Sequence, residues 1–401
     1  MFTRWYRTGV IYSADVGLFQ DGNDDGIGDF QGMVGRLDYL ARLGISTIWL
    51  HPIHPSPRRD GGYDITDHYG VHPRFGSLGD FTTLLHEAGE RGIRLMLDLV
   101  VNHTSDQHPW FQAVIDEYEN RVIVGEVYLL DLRRLVEYIN TGDELHLAHN
   151  FVFFHLPWQA AAFRASVQEF TELAEQSAWP TWFLENHDHS RVATRYAAAP
   201  GSGQRRARTA AMLICTLRGT PFLYYGQELG LPDAHIPPDR VVDVDGRDPE
   251  RSPMPWRRPS LAGPGAGFTT AEPWLPVVTG AESLCVESQE QDPGSTVAFV
   301  RSLTRLRSRE PTLQSGTQRL ADAAPDVFCY ERELDRRFLI ALNFSSHRVP
   351  LALGDHAPGP AFLELSTHPG REHGAVDLQD LVLEPDEGLI LRLSEGREDR
   401  S

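Results

Sequence analysis

The residues that could do chemistry sit where apolar runs give way to polar ones. Asp98, Asn102 and His103 lie on or just past Ile93–Val101, and Glu126 lies on Val122–Val127. Asn186, His187 and Asp188 follow Trp182–Leu184, and Glu228 follows Pro221–Tyr225. Breaking a glycosidic bond requires an acid to protonate the leaving oxygen and a carboxylate to meet the oxocarbenium-like centre. Glu126 and Asp188 suit those tasks, with His103 and His187 as neutral donors to hydroxyl groups. Any one of these residues alone is more simply a helix cap or half of a buried ion pair. A series of them at successive strand ends argues for a site. A metal-dependent hydrolase built on His51, His54, His187 and His189 is the weaker alternative. His51 and His54 stand in the proline-rich loop HPIHPSP, which offers no helical ligand pair.

A second constellation is the stretch DGNDDGIGD, residues 21–29. Oxygen ligands at alternating positions, with glycines for a sharp turn, fit a hard cation. Asp21, Asn23 and Asp25 would ligate through side chains, Ile27 through its carbonyl, and Asp29 would close the set. The twelfth position is Gly32 rather than glutamate, so the loop is not an EF-hand. The competing reading is an acidic turn that caps the following helix. So many carboxylate and amide groups in nine residues favour calcium as a structural ion, with magnesium as the alternative.

The elements that must position these groups alternate. Val10–Ile11, Ile45–Pro52, Ile93–Val101, Val122–Val127, His149–Leu156, Trp182–Leu184 and Pro221–Tyr225 read as strands. Helical periodicity lies between them: Phe30 to Ala41 with Gly44 past its end, Phe81 to Ala88, Ala207–Leu217, and a closing helix carrying Val297, Val300, Leu303 and Leu306. This alternation predicts a parallel sheet of the (β/α)-barrel type, with chemistry at the C-terminal strand ends. Seven strands are read where such a barrel closes with eight, so one βα unit is missing. Only about twenty residues separate the strands ending in Asp98 and Glu126, room for one short helix. From about Pro311 short strands divided by Gly, Pro, Asp and Ser predict an antiparallel β-sandwich. The expected division is therefore 1–310 for the barrel, with a long Pro- and Gly-rich loop over 231–280, and 311–401 for the sandwich.

Composition bounds the partners. A chain of 401 residues with 41% apolar content can bury a large core. Its net charge of −19 argues against nucleic acid and anionic membranes, both of which need a basic face. No apolar run is long enough to span a bilayer, and MFTRWYRTGV lacks the apolar core of a signal peptide. Cys215, Cys285 and Cys329 are too few and too scattered for a disulfide framework or a zinc site. A cytoplasmic protein with free thiols is expected.

Taken together, DGNDDGIGDF, GGYDITD, DLVVNHTSDQHPWF, VIVGEVYL, FLENHDHSR, GTPFLYYGQELG and DPERSPMPW make the chain resemble the α-amylase superfamily, glycoside hydrolase family thirteen. Within it the likeness is to α-glucosidases and oligo-1,6-glucosidases. The resemblance spans nearly the whole chain. It implies a (β/α)₈ barrel, a C-terminal β-sandwich, and retaining cleavage of a small-molecule α-glucoside or oligosaccharide. By motif, Glu126 is the general acid/base and Asp188 the transition-state stabiliser, with His187 beside it. Asp98 and His103 belong to the first strand-end motif, and Tyr63 and Asp64 to the loop that holds the terminal glucose. Asp21, Asn23, Asp25, Ile27 and Asp29 correspond to the family's metal site.

One departure stands against this pattern. The family inserts a small domain after NHTSDQHPWFQ and then a strand bearing the nucleophilic aspartate. Here Gln112 runs straight into AVIDEYENRVIVGEVY. The inserted domain, one strand and the usual nucleophile are therefore absent, in keeping with the count of seven. Two functions follow as expectations: an α-glucosidase-type hydrolase with impaired turnover, or a catalytically silent relative that keeps a sugar-binding scaffold. Linkage preference, hydrolysis against transglycosylation, and oligomeric state stay open at this level.

Overall fold

The computed structural model describes residues 5–58, 60–100, 122–126, 128–140, 145–174, 178–353 and 360–394. Asn102, His103 and the Gln112–Ala113 junction fall outside them. The chain alternates strand and helix up to Arg309, and from Thr317 it is all strand.

Seven strands form the first region among the described residues: β1 Ile11–Ala14, β2 Thr47–Leu50, β3 Arg94–Leu97, β4 Val124–Gly125, β5 Leu147–Ala148, β6 Thr181–Trp182 and β7 Thr220–Tyr224. Five lie side by side in the order β3-β2-β1-β7-β6, and β4 pairs with β5. Every one of these pairings is parallel, which sends all strand C-termini to one end. The two groups are linked where Thr181 Oγ1 donates to the carbonyl of Ala148 at 2.6 Å. Between β3 and β4 no strand pairing occurs among the described residues. That gap is where a closed eight-stranded barrel would place its missing unit.

Burial shows the same seam. β1, β2 and β7 are buried at every position, whereas β3 is exposed at Arg94 and Leu97 and half-buried between them. Leu97, Leu99, Tyr128 and Leu130, which flank the seam, are exposed large apolar residues. Apolar area left in water forfeits roughly 25 cal/mol per Å² of burial.

Local sequence explains most element ends. The helix Leu78–Glu90 starts at Ser77, whose hydroxyl accepts from Asp80 N while the Asp80 carboxylate accepts from Ser77 N, a capping box. The predicted helix from Phe30 to Ala41 is two helices, Phe30–Val34 and Leu37–Leu43, broken at Gly35 and Arg36. Leu43 is followed by Gly44 in a left-handed conformation. The predicted strand His149–Leu156 is corrected: β5 ends at Ala148, and Asn150 caps a helical turn, Phe151–Phe154, through Phe153 N. Its run of apolar residues, FVFF, fits a buried strand and a buried turn equally well, and the asparagine decides.

The C-terminal strands are β8 Thr317–Ala321, β9 Val327–Glu333, β10 Arg337–Asn343, β11 Val349–Pro350, β12 Ala361–Ser366, β13 Gly374–Val376, β14 Val382–Leu383 and β15 Gly388–Leu393. Six form one antiparallel sheet, β13-β12-β15-β10-β9-β8, over which β11 and β14 pair. Alternate residues serve two cores. Leu339, Ala341, Leu389 and Leu391 face the small pair, while Phe328, Tyr330, Phe338, Ile340 and Ile390 join the core of the first region. No helix among the described residues is long and apolar enough to cross a membrane.

If the seam is open to water, polar substitution there should cost little. Leu99→Gln is expected to change unfolding free energy by no more than about 0.5 kcal/mol, against about 2–5 kcal/mol for Leu50→Ala in β2. Urea midpoints compare the two; a large loss at Leu99 would show the seam to be covered.

Candidate active site

Parallel register brings the strand ends together. β2 runs into His51, β3 into Asp98, β4 into Glu126, β5 into His149, and β6 leads through Phe183 and Leu184 to Glu185, Asn186, His187 and Asp188. Trp49 on β2 donates its indole N–H to Asp98 Oδ1 at 2.5 Å. The Trp49 ring stacks on His149 with centroids 5.2 Å apart, so the donor is held in place. Asp98 Oδ2 and the Tyr63 hydroxyl are both buried, and the two side chains interact with each other. Tyr63 lies flat against His187, with centroids 5.4 Å apart and planes 8° off parallel. His187 in turn sits 4.4 Å from His51, whose Nε2 bonds Ser13 Oγ at 2.9 Å.

Asp188 is held differently. Arg251 Nη2 and Arg247 Nη1 approach its Oδ1 at 3.1 and 3.2 Å. Arg247 is itself anchored, through Nη2, on Asp243 at 2.7 Å and Asp60 at 2.9 Å. Arg251 Nε donates to the carbonyl of His187 at 2.7 Å. Both arginines come from the long loop. Its footing is the 15–29 segment: Thr269 Oγ1 donates to Asp21 Oδ2, Trp274 Nε1 to the Gly17 carbonyl, and Trp256 Nε1 to the Phe19 carbonyl. Gly26, at φ +92°, lies so close to this loop that a Cβ would meet the Glu272 carbonyl at 2.4 Å.

Desolvation sets the protonation states. Burial of the carboxyl, and then the charges of Asp98 and Asp188, push Glu126 up to about 7, although the residue as a whole is exposed. Burial raises Asp98 to about 6, opposed by its bond from Trp49 and by the neighbouring Tyr63 hydroxyl. Glu185, fully buried, is raised to about 7 by desolvation despite the Arg191 guanidinium 3.5 Å away. Burial lowers His51 and His149 to about 4 and holds His187 well below its ordinary value. The imidazoles are therefore neutral donors and acceptors, while Glu126 and Glu185 hold protons near neutrality.

Two cavities adjoin these groups. One, of about 90 Å³, is lined by His51, Tyr63, His187, Asp243, Arg251 and Trp274 among others. The other, of about 10 Å³ and so no larger than one water needs, lies inside the strand ends and is lined by Trp49, Glu126, His149, Phe183, Glu185 and Phe222 among others. Polar and aromatic groups converge on the larger of the two.

The model of the alpha amylase catalytic domain matches residues 11–122 and 112–316. The chain belongs to the alpha-amylase family of glycoside hydrolases. The family match divides at 112–122, the stretch that holds the Gln112–Ala113 junction. A glucan 1,6-alpha-glucosidase of Streptococcus pneumoniae is 25% identical, covering 88% of this chain and 94% of its own length. An oligo-1,6-glucosidase of Parageobacillus thermoglucosidasius is 25% identical over 88% and 92%, and a probable alpha-glucosidase of Rhizobium meliloti 27% over 78% and 84%. The first alignment runs over 505 positions against 401 residues here, so that relative carries residues without counterpart in this chain. Among solved structures, the trehalulose synthase of Pseudomonas mesoacidophila superposes with a TM-score of 0.85 at 23% identity, over 97% of this chain and 99% of its own. That likeness is one of fold.

Within the family fold, the structure gathers Glu126, Asp98, Tyr63, His187 and Asp188 at the strand ends. Asp64 turns away, accepting from Ser56 Oγ at 2.5 Å, and so holds its loop. His103 lies outside the described residues. Glu228, expected beside the other strand-end acids, is instead buried beneath them and accepts from Tyr12 and Tyr39 at 2.8 and 2.9 Å. In the acidic loop each side chain already serves the backbone. Asp21 Oδ1 accepts from Asn23 and Asp24 N, Asn23 from Asp25 N, Asp25 from Ile27 N, and Asp29 from Gly22 and Gly32 N. Of the four histidines in the metal-hydrolase alternative, His51 meets His187, while His54 neighbours His68 and His189 neighbours His155. Among the described residues no three His, Cys, Asp or Glu converge to hold a metal. Arg247, Trp49 and His149 were not singled out in the sequence. The motif DPERSPMPW, placed at the pocket mouth, carries Arg251, which lines the larger cavity.

The pH dependence of folding tests the buried acid. Between about pH 4.5 and 7 the unfolded chain sheds the Glu185 proton while the folded chain keeps it, so stability from this group falls as pH rises. Glu185→Gln cannot ionise and should lose less stability than the parent over that interval, by on the order of 1–3 kcal/mol. Denaturant titrations at the two ends measure it; parallel pH profiles would mean that Glu185 is charged throughout.

Proposed function

We propose that this family member is an α-glucosidase-type hydrolase acting on short α-linked glucosides with retention of configuration. The observation that carries the reading is Glu126, a carboxyl raised to about 7 at a strand end that also faces two other carboxylates. An acid that keeps its proton near neutrality can give it to the leaving oxygen. Asp188 stays beside the developing positive charge at C1, and Tyr63, backed by His187, offers a flat face to the sugar ring. The named activities of the relatives, α-glucosidase and oligo-1,6-glucosidase, support the substrate class, as do trehalulose synthase structures solved with glucose and with sucrose. The alternative, a silent sugar-binding scaffold, draws on the two guanidinium groups that engage Asp188 and on the open seam beside Glu126.

The acidic loop is proposed to take calcium, or magnesium in its place, through Asp21, Asn23, Asp25, the Ile27 carbonyl and Asp29. Its donors are all hard oxygens. Asp29 is raised first by burial and further by the charges of Asp21 and Asp25, a repulsion that a divalent ion would relieve. Bound there, the ion would stiffen the footing of the long loop and take no part in bond cleavage.

Hydrolysis of para-nitrophenyl α-glucoside tests the first proposal. Glu126→Gln should lower kcat/KM at least about a hundred-fold, and in the parent the rate should fall as pH rises through about 7, where Glu126 loses its proton. A rate indifferent to Glu126→Gln excludes the reading. For the loop, EDTA should lower the melting temperature and added calcium restore it, with Asp21→Ala insensitive to both. A melt unchanged by EDTA in the parent removes the ion.

A further inference from the structure

We propose that Asp98 is the nucleophile of this chain, attacking C1 through Oδ2 while Glu126 protonates the departing glycosidic oxygen. The inference rests on the hydrolase reading above and names the group that retention requires.

Three observations select Asp98. First, the charges that act on Glu126 among the described groups come from two carboxylates, Asp98 and Asp188. Second, those two differ in freedom. Asp188 Oδ1 is taken by Arg247 and Arg251, and its Oδ2 lies 3.5 Å from His187 Nε2. Lone pairs committed to guanidinium groups make a poor nucleophile and a good electrostatic stabiliser. Asp98 is held by neutral donors instead, Trp49 Nε1 on Oδ1 and the neighbouring Tyr63 hydroxyl, which leave its lone pairs more available than guanidinium groups do. Third, the topology puts them side by side. β3 and β4 are consecutive in the chain and bound the same seam, with no described strand between them. Asp98 and Glu126 are thus the strand-end acids on its two sides. Trp49, wedged against His149 and Phe222, fixes the orientation of the Asp98 carboxylate.

In the first step an Asp98 Oδ2 lone pair forms an ester bond to C1 from the face opposite the aglycone. The C1–O bond breaks, its electron pair stays on the glycosidic oxygen, and that oxygen takes the Glu126 proton and leaves as an alcohol. In the second step Glu126 accepts a proton from water, the water oxygen bonds to C1, and the ester electron pair returns to Asp98. The sum is glucoside plus water giving α-glucose plus alcohol, with Glu126 reprotonated and nothing oxidised or reduced. The two carboxyl groups must stand about 5–5.5 Å apart in the productive complex.

Trapping decides the assignment. The full chain is incubated with a fluorinated α-glucosyl fluoride, whose substituent slows the second step, and the adduct is located by peptide mass spectrometry. One hexosyl adduct on Asp98 is expected; an adduct on Asp188, on Glu126 or on another carboxylate overturns the proposal. Asp98→Asn should lose at least about a thousand-fold in kcat on para-nitrophenyl α-glucoside. Asp98→Gly should regain turnover with added formate, a rescue that a merely structural role would not produce. Circular dichroism of both variants controls for folding, and the adduct on the parent needs no variant. Turnover that depends on Glu126 but survives Asp98→Asn sinks the nucleophile alone. A parent with no turnover and no adduct sinks it together with the hydrolase reading.

Discussion

Everything at the strand ends depends on taking carboxylates out of water without giving each a counter-charge. In a parallel sheet the C-terminal ends point one way, so the acids that follow β3, β4 and β6 are crowded into one apolar rim of Trp49, Phe183 and Phe222. Desolvation there disfavours the charged form, and Glu126, Asp98 and Glu185 all respond by holding protons more tightly. Asp188 is the exception because two guanidinium groups reach it. Groups of one chemical type thereby acquire different roles from their surroundings alone.

The guanidinium groups arrive from a distance in sequence. Arg247 and Arg251 are placed by a loop whose own anchorage runs through Trp256, Thr269 and Trp274 to the segment between β1 and its following helix. The acidic loop at 21–29 belongs to that footing, with Asp21 fully engaged by backbone N–H groups and Thr269. The loop that carries Asp188's two guanidinium partners is thus fixed at its far side to the segment that holds the acidic loop. The C-terminal sheet braces the opposite side of the barrel. Arg332 and Arg307 are buried there with backbone carbonyls as acceptors, and Asp386 accepts from Arg206 across the junction.

The seam is the price of a shortened barrel. β1, β2 and β7 are buried at every position, but β3 keeps a half-exposed face and the segment after β4 exposes Tyr128 and Leu130. Among the described residues five strands continue as one sheet and two as a separate pair, and a side-chain link, Thr181 to Ala148, joins them. Losing a strand removes pairing for both its neighbours, yet it also brings the acids on either side of the gap next to one another in strand order.

The sequence by itself determined the parallel class, the all-strand C-terminal region, and the placing of Asp98, Glu126 and Asp188 just past apolar runs. Apolar runs ending in polar residues are local patterns, and local patterns survive without coordinates. Phe151–Phe154 was misread as strand because its periodicity is ambiguous, and Glu228 looked like a site residue because nothing in the sequence shows that Tyr12 and Tyr39 enclose it. Only the tertiary structure decided which acid meets guanidinium groups and which meets neutral donors. Arg247 and Asp188 are 59 residues apart, and Trp49 and Asp98 are 49 apart, so neither pairing leaves a mark in local spacing. Protonation follows from those long-range contacts and from burial, which are properties of the folded chain and not of any segment of it.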